Sequence, residues 1–485
     1  MVALSTIERR VRPASAAEAA SDAQLRLMIA SGGDDRIWLD PVTRRNRYGA
    51  PASPAPDELW FSSSTASAIS PRGWAAAGAA LDDLVGGRPI DGWFDGLRTR
   101  LTDLYGPPGA EVVLSASGTE AELVALHLAL TLAAGPVANI VVAPAETGAG
   151  VPIAAAGRHF LGRASLGGAV TTGAPLAGWE AAAISLRTID IRASCGALLA
   201  RSEVDAAAAA VVGAAVADGG FVLLHVLDAS KTGRPGVSRA AARAILEQRP
   251  EQVMVVVDAC QLRCPAEQVR ADLEDGFAVM ITGSKFAGGP AFCGALLLPP
   301  RMVDRLAAAP PAEGSLDASP LAAYSALLDW PAPLGPMFGP GLLHAANLGL
   351  GLRWSAALAE IEAYEALPAT LRGGLLTAFD RAVRERVAAD RGLALLDPRH
   401  GPAAGLVAVV HADSSDPRTA YEALKTAQLT GERACHLGQP VQIGDRAALR
   451  ICASMPMLVE AAEQGFCAVE ADLDDAFAAW RRRRA

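Results

Sequence analysis

The sequence lacks an excess of basic residues. Its 485 residues include 43 lysines and arginines against 52 aspartates and glutamates, which gives a formal net charge of −9. A general nucleic-acid binder or a binder of anionic membranes normally carries a basic field. We therefore expect neither a nucleic acid nor a membrane among its partners.

Cysteines are also few. The seven cysteines are an odd number without paired short spacings, so they predict neither a disulfide framework nor a metal site, and a reducing cytoplasm is the simpler compartment. The first twenty residues carry charges of both signs without a continuous apolar core, which predicts neither a secretory signal nor a membrane anchor. Residues 123–145 are uncharged, but Gly135 and Pro136 divide them into a helix and a strand.

Lysine is the rarest charged residue, with three lysines against 40 arginines. Arginine can replace lysine on a surface, but its pKa stays above about 12, so it cannot lose a proton and attack a carbonyl as an amine does. Each lysine is therefore a candidate. Lys425 lies in the helical run YEALKTAQL and is predicted to be a surface residue, whereas Lys231, in the turn DASKTGRPG, could belong to the surface or to a site. Lys285 follows an apolar strand in ITGSKFAGGP, where a turn would hold it at a sheet edge.

The middle of the chain alternates short apolar runs with helical patterns. The predicted strands are apolar throughout, which is typical of strands covered on both faces: residues 111–117, 137–143, 221–227, 253–259, 277–283 and 293–299. Helices are predicted at 119–134 and 237–248. This order predicts an α/β fold whose large domain has a mostly parallel sheet between helices.

The pattern changes after residue 310. Two long helices, at 341–364 and 367–389, precede strands at 405–412 and 448–454, a helix at 416–428 and one final helix. We therefore predict a smaller C-terminal α+β domain. With 51% hydrophobic residues, the chain is long enough for two domains. The predicted division is an N-terminal segment at 1–60 that serves as a lid or dimer arm, the large domain at 61–310, a linker at 311–340 and the small domain at 341–485.

Polar residues follow three of the predicted strands. Residues 117–120, SGTE, lie where a strand ends and a helix begins, and could either hold a phosphate at the helix N-terminus or simply cap the helix. Asp258 ends the apolar strand VMVVVD, where a carboxylate at the edge of a buried strand needs a partner, and a structural salt bridge is one alternative. Lys285 follows the next strand. A phosphate cradle, an acid and a lysine at neighbouring strand ends are what pyridoxal phosphate requires.

On these motifs, residues 58–460 resemble the fold type I pyridoxal-phosphate enzymes, in particular the class V aminotransferase and cysteine desulfurase branch. The resemblance of SGTEA, DACQ and TGSK to this branch's motifs implies pyridoxal 5′-phosphate as cofactor and a homodimer with shared active sites. It also implies a role for each matching residue: Ser117, Gly118, Thr119, Thr282 and Ser284 bind the phosphate, Asp258 pairs with the ring nitrogen, Gln261 faces the phenolic oxygen and Lys285 forms the Schiff base.

The resemblance also suggests substrate contacts. Arg450 in ALRICAS resembles an arginine that binds the substrate α-carboxylate, the alternative being an arginine on an edge strand. Residues 61–70 resemble a loop over the substrate, residues 44–49 an entrance lid or a solvated loop, and residues 339–341 a segment that reaches the partner's phosphate. His225, Asp228 and Ser230 are further candidates.

Two features depart from the family pattern. The branch places a histidine on the cofactor ring in a Glu-His-His-Ala-Asn run, but residues 146–150 here read ETGAG, which leaves His159 as the nearest aromatic alternative. Cys435 precedes Arg450 by 15 residues, a position that resembles the persulfide-forming cysteine of some desulfurases. Arg433 and His436 could lower its pKa.

These observations favour an aminotransferase-like enzyme of specialised biosynthesis that acts on an amino acid or an amino-acid derivative. A lyase or a Cβ/Cγ replacement enzyme, including a desulfurase that uses Cys435, is the alternative, because the core motifs serve all of these reactions. A non-catalytic binding protein on the same fold is a more remote alternative.

Overall fold

The computed structural model describes residues 16–308, 319–342, 345–399, 401 and 404–484. Residues 1–15 of the predicted N-terminal segment and 311–318 of the predicted linker lie outside this description. The helices are α1 (Ala16–Ile29), α2 (Pro71–Val85), α3 (Ile90–Tyr105), α4 (Gly118–Leu132), α5 (Val151–Ala155), α6 (Arg201–Ala217), α7 (Arg239–Gln248), α8 (Ala266–Glu274), α9 (Pro300–Ala308), α10 (Gly335–Phe338), α11 (Leu348–Glu365), α12 (Ala369–Ala389), α13 (Arg418–Lys425), α14 (Met455–Gln464) and α15 (Cys467–Arg484).

The strands form two sheets among the described residues. They are β1 (Leu59–Phe61), β2 (Glu111–Ser115), β3 (Val137–Val142), β4 (Ile184–Ile189), β5 (Phe221–Leu227), β6 (Val253–Ala259), β7 (Ala278–Thr282), β8 (Gly294–Leu298), β9 (Leu393–Leu395), β10 (Leu406–His411), β11 (Cys435–Ile443) and β12 (Arg446–Cys452). Among the described helices, none is long and apolar enough to cross a membrane.

The larger sheet has the strand order β2-β8-β7-β6-β5-β3-β4. Strand β8 runs antiparallel to both neighbours, and the other pairs are parallel. Alternate residues of β6 pack on opposite faces, with Val255 and Val257 in one apolar cluster and Met254 and Val256 in another. Burial on both faces explains the continuous apolar runs. The predicted α/β class with a mostly parallel sheet is confirmed.

Helices cover both faces of this sheet. Helix α4 packs against β2, β7 and β8, and its apolar residues lie in the second cluster. The segment 319–342 joins the same cluster through Leu321, Tyr324, Trp330 and Phe338, so the part of the predicted linker that is described is packed against the core. Helix α11 packs on α1, α2, α3 and α14.

The smaller sheet has the order β1-β11-β12-β10-β9, with β1 parallel to β11 and the other pairs antiparallel. Strand β11 was not predicted, because Gly438 and Pro440 resemble strand breakers; the pairing with β12 is irregular between Gly438 and Val441. The single final helix of the prediction is wrong: Gly465, at φ 96°, separates α14 from α15. The predicted domain boundaries stay a prediction.

Candidate active site

A cavity of about 500 Å³ opens where β5, β6 and β7 end and α4 begins. Because the carboxyl ends of parallel strands meet at one edge of a sheet, residues far apart in sequence converge there. All nine residues predicted to bind cofactor or substrate line this cavity: Ser117, Gly118, Thr119, Asp258, Gln261, Thr282, Ser284, Lys285 and Arg450.

The first turn of α4 forms one wall. Ser117 is the N-cap, and its hydroxyl accepts a hydrogen bond from the backbone N–H of Glu120 at 3.3 Å. A Cβ at position 118 would lie 2.6 Å from Cys260 Sγ, so glycine allows the helix to approach β6 closely. The first backbone N–H groups of a helix have no partner within it and carry the positive end of its dipole. The first turn of α4 is therefore suited to binding an anion. Ser117 also caps the helix, so both functions proposed for residues 117–120 are compatible with the structure.

Asp258 lies at the end of β6, in register with Leu227 of β5 and Met280 of β7. Its Oδ1 accepts a hydrogen bond from the backbone N–H of Cys260 at 3.1 Å. In the described part of the chain, no lysine, arginine or histidine lies within ion-pair distance of this carboxylate, so the alternative of a structural salt bridge is not supported.

Gln261 and Thr282 are buried beside Asp258. Gln261 Nε2 donates to the carbonyl of Ser64 at 3.1 Å, and its Oε1 has no hydrogen-bond partner. Thr282 Oγ1 donates to the carbonyl of Cys260 at 2.6 Å. Gln261 Oε1 is therefore an acceptor without a partner. The Thr282 hydroxyl proton is used by the Cys260 carbonyl, so in this arrangement it is not a donor for the phosphate that Thr282 was predicted to bind.

Two of the three lysines line the cavity, Lys285 and Lys231. Lys285 follows β7 by three residues, as predicted. Lys231, for which a surface position and a site position were both predicted as alternatives, is partly exposed and lines the cavity. Lys425 lies outside the cavity, near the surface: 15% of its side chain is exposed, and its ammonium group lies over the ring of Tyr421 and pairs with the exposed Glu422.

Arg450 is 1% exposed on β12, an inner strand of the smaller sheet, so the interpretation as an edge-strand arginine is wrong. Its Nη2 donates to Thr65 Oγ1 at 3.0 Å and to the carbonyl of Gln439 at 2.6 Å. Its Nε and Nη1 have no partner. Burial lowers the pKa of Arg450 because no carboxylate pairs with it among the described residues. A buried guanidinium with free donors beside a cavity is suited to a carboxylate ligand.

Two N-terminal loops border the cavity, as the resemblance implied. Ser64 and Thr65 belong to the predicted substrate loop, and Arg47 and Tyr48 to the predicted lid. A further lining residue, Arg36, was missed; it pairs with the buried Asp34 at 2.7 Å.

Residues 146–150 provide no histidine at the ring-stacking position that the resemblance implies. Thr147 and Gly148 line the cavity, whereas His159 lies outside its lining and its Nδ1 contacts the hydroxyl of Tyr324 at 2.7 Å. His159 therefore does not replace the missing histidine. Phe160, the next residue, is part of the lining.

Sequence analysis missed a buried polar network on the cavity floor. Asn139 Nδ2 donates to Glu122 Oε1 at 2.7 Å, and His225 Nε2 lies 3.0 Å from Asn139 Oδ1 and 3.2 Å from Glu122 Oε2. Burial lowers the pKa of His225, but the charge of Glu122 outweighs it and the net shift is upward. An asparagine inside the apolar strand VANIVV and an acid inside an apolar helix were the available signals.

The turn that carries Lys231 is fixed by Glu146. The Glu146 carboxylate accepts hydrogen bonds from Ser230 Oγ at 2.8 Å, from Thr232 Oγ1, and from Arg192 Nε at 2.5 Å. Ser230 is thus a turn residue outside the lining. Asp228, the other candidate in this segment, also lies outside the lining and pairs with Arg239 at 2.8 Å.

Cys435 does not have the environment of a nucleophile. It is 1% exposed on β11 and lies outside the cavity lining. Burial raises the pKa of its thiol to about 12, which outweighs the charge of Arg433. His436, the other expected activator, stacks on Trp60 and contacts Glu58 at 2.7 Å. The predicted lowering of the Cys435 pKa is wrong.

Residues 339–341, which the resemblance implied would reach the partner's phosphate, lie outside the cavity lining of this chain.

No family model and no curated protein matches this sequence. Solved structures do match its fold. The cysteine desulfurase CsdA from Escherichia coli is 12% identical, with a TM-score of 0.54 over 88% of this chain and 94% of that chain. Alanine–glyoxylate aminotransferase from Nostoc sp. is 14% identical, with a TM-score of 0.54 over 93% and 99%. SPT with PLP is 14% identical, with a TM-score of 0.52 over 94% and 97%. The likeness extends over most of the chain.

Proposed function

We propose, from the premise that the chain has the fold of the fold type I pyridoxal-phosphate enzymes, that it binds pyridoxal 5′-phosphate and acts on an amino acid or an amino-acid derivative. The observation that carries the proposal is the arrangement at one sheet edge. Lys285, Asp258 and the first turn of α4 line the same cavity, and no ion pair within the described chain engages Lys285 or Asp258.

The residues present suit this cofactor. The glycine at 118 and the hydroxyls of Ser117, Thr119 and Ser284 provide an anion cradle at the helix N-terminus. The partnerless Oε1 of Gln261 lies in the same lining. The cavity is large enough for a cofactor together with a small substrate.

Pyridoxal phosphate, when bound, supplies an electron sink for the charge that develops at the Cα of an amino acid. The chain supplies the rest. Lys285 would hold the aldehyde end of the cofactor, and its amine is the group that would move a proton at Cα. The Asp258 carboxylate would hold a proton at the ring nitrogen. Arg450, which lines the cavity, would orient the substrate by binding its α-carboxylate.

Transamination is the reaction that we favour, and elimination or replacement at Cβ or Cγ is the alternative because the same residues serve both. The buried Cys435 argues against a desulfurase that uses this thiol. The absence of a ring-stacking histidine at 147–148 supports a specialised biosynthetic reaction. A non-catalytic protein would not need both Lys285 and Asp258.

Borohydride reduction of the protein with pyridoxal phosphate tests the proposal. We expect a visible absorbance band that reduction removes, and a pyridoxyl group on Lys285 in peptide maps. The Lys285→Ala variant should stay folded without turnover, whereas Lys425→Ala should keep both label and activity. A label on Lys231, or no label, would overturn the assignment of Lys285.

We also propose a homodimer with shared active sites, as the resemblance implies. The supporting observation is the apolar composition of the chain, with 51% hydrophobic residues. Light scattering should give twice the chain mass of 49.8 kDa. A fully active monomer would contradict this proposal.

A further inference from the structure

Lys231 has no role in the function proposed so far, yet it lies in the same cavity as Lys285 and Arg450. Its turn is rigid: the backbone N–H of Lys231 donates to the carbonyl of Glu146 at 2.8 Å, and Gly233 closes the turn by donating to the carbonyl of Ser230 at 2.9 Å. These bonds fix the backbone from which the Lys231 side chain enters the cavity lining.

No acidic side chain within the described chain forms an ion pair with Lys231. Glu146, the nearest candidate, is already bound by Arg192, Ser230 and Thr232. Burial together with the positive charges of Arg450 and Lys285 lowers the pKa of Lys231 to about 8, and the opposing effect of Glu146 is smaller. The cavity thus contains a cation that the protein itself does not neutralise.

The charges that line the cavity do not balance. Arg36 is neutralised by Asp34, Glu146 by Arg192, and Glu122 contacts His225. The lining groups without an ion-pair partner in the described residues are Asp258 as an anion and Arg47, Lys231, Lys285 and Arg450 as cations. Arg47 is exposed to solvent. Under the proposed function, Lys285 and Asp258 serve the cofactor, and the N-terminus of α4 holds its phosphate. Arg450 serves the α-carboxylate, so Lys231 is the partly buried cation that remains.

We infer that Lys231 binds a second anionic group of the substrate, which is therefore an amino acid with an acidic side chain. This inference rests on the proposed function, because it assigns the α-carboxylate to Arg450. Two cations that line one cavity and have no ion-pair partner among the described residues select a ligand with two negative charges, since a neutral side chain would leave the partly buried Lys231 without a counter-charge. A carboxylate and a phosphate share this chemistry.

Calorimetric titration with non-reacting acids tests the inference without turnover. Succinate and propionate are the probes, with the full-length protein measured with and without added pyridoxal phosphate. We expect succinate to bind the parent protein more tightly than propionate. Lys231→Met should weaken succinate binding about 10- to 100-fold and change propionate binding less than about threefold. Lys231→Arg, which keeps the charge, should retain most of the preference.

Lys425→Met is the matched control, because it removes a lysine that lies outside the cavity lining. It should leave both affinities unchanged. Circular dichroism of each variant checks folding, and Lys231→Arg keeps the test valid if the methionine variant does not fold.

Substrate assays identify the acidic group. Comparing activity on aspartate and glutamate with activity on asparagine and glutamine tests for recognition of a carboxylate. Activity on O-phosphoserine tests for recognition of a phosphate. The Lys231→Met change should raise KM for the acidic substrates and leave kcat/KM for a neutral one within about threefold. Equal weakening of succinate and propionate, or no preference for succinate in the parent, would overturn the inference. A different result would overturn the proposed function itself, namely the absence of a pyridoxyl group on Lys285 after borohydride reduction.

Discussion

Arg192 and Asp397 form a two-bonded ion pair, with Nη1 to Oδ1 at 3.0 Å and Nη2 to Oδ2 at 2.8 Å. Arg192 follows β4 of the larger sheet and Asp397 follows β9 of the smaller sheet. The Nε of the same guanidinium donates to Glu146 at 2.5 Å. One arginine therefore links the two sheets to the residue that fixes the Lys231 turn.

We predict that Asp397→Asn lowers the free energy of unfolding by about 3 kcal/mol. Asp397 pairs with both Arg192 and Arg234, so the change leaves these two cations with Glu146 as their remaining carboxylate partner. The exposed fractions of the Arg192 and Asp397 side chains are 8% and 10%, so solvent screens the pair little. Urea unfolding measures the change. The control is Glu385→Gln, which breaks an exposed contact with Arg381 at 3.9 Å and should have no measurable effect. Equal stability of the Asp397 variant and the parent would contradict the prediction.

For Arg450→Met we expect kcat/KM to fall about 30- to 1000-fold, because a charge-assisted pair with the substrate carboxylate is lost. Stability should stay equal or rise, since the change removes a buried charge that no carboxylate in the described chain neutralises. Steady-state kinetics and thermal unfolding are measured on the same preparations. A large loss of stability with unchanged KM would mean that Arg450 is structural.

Cys435 should not react with iodoacetamide in the folded protein, whereas the exposed Cys195 and Cys467 should. The thiol is buried and its pKa is raised to about 12, so little thiolate is present or accessible. Mass spectrometry of the alkylated peptides measures this. Cys435→Ala and Cys435→Ser should keep most of the activity. If folded variants lost all turnover while the parent released sulfide from cysteine, the desulfurase alternative would be correct.

Glu120 gives a prediction about pH. Burial and the nearby Asp34 raise the pKa of this carboxyl to about 8, so the folded state keeps a proton that the unfolded state has lost. Its contribution to stability is therefore complete below the unfolded pKa near 4.5 and is lost as pH rises towards 8.

We compare the free energy of unfolding of the Glu120→Gln variant with that of the parent at pH 4.5 and at pH 8. Between these pH values, the difference should change in favour of the variant by an amount on the order of 3 kcal/mol. Denaturant unfolding at both pH values measures the difference. Glu470→Gln, which changes an exposed carboxylate of α15, should leave the pH dependence as it is. Parallel stability profiles for Glu120→Gln and the parent would contradict a raised pKa.

The sequence by itself determined the large sheet and its reactive edge. Strands β5 and β6 have the predicted bounds, because residues covered on both faces leave an unbroken apolar run. Asp258 and Lys285 could be placed at one edge for a local reason as well: Asp258 lies at the end of one buried strand and Lys285 follows the next, and parallel strands end on the same side.

Which other side chains lie near that edge, and how buried they are, depends on the tertiary structure alone. The sequence around Lys231 is compatible with a surface turn, and only its packing beside Glu146 and Arg450 brings it into the cavity. Cys435 is buried because β11 pairs with β1, a strand of three residues that lies far away in the chain. Partners distant in sequence set the burial and the charge balance of a side chain, so no local pattern could have revealed either residue's role.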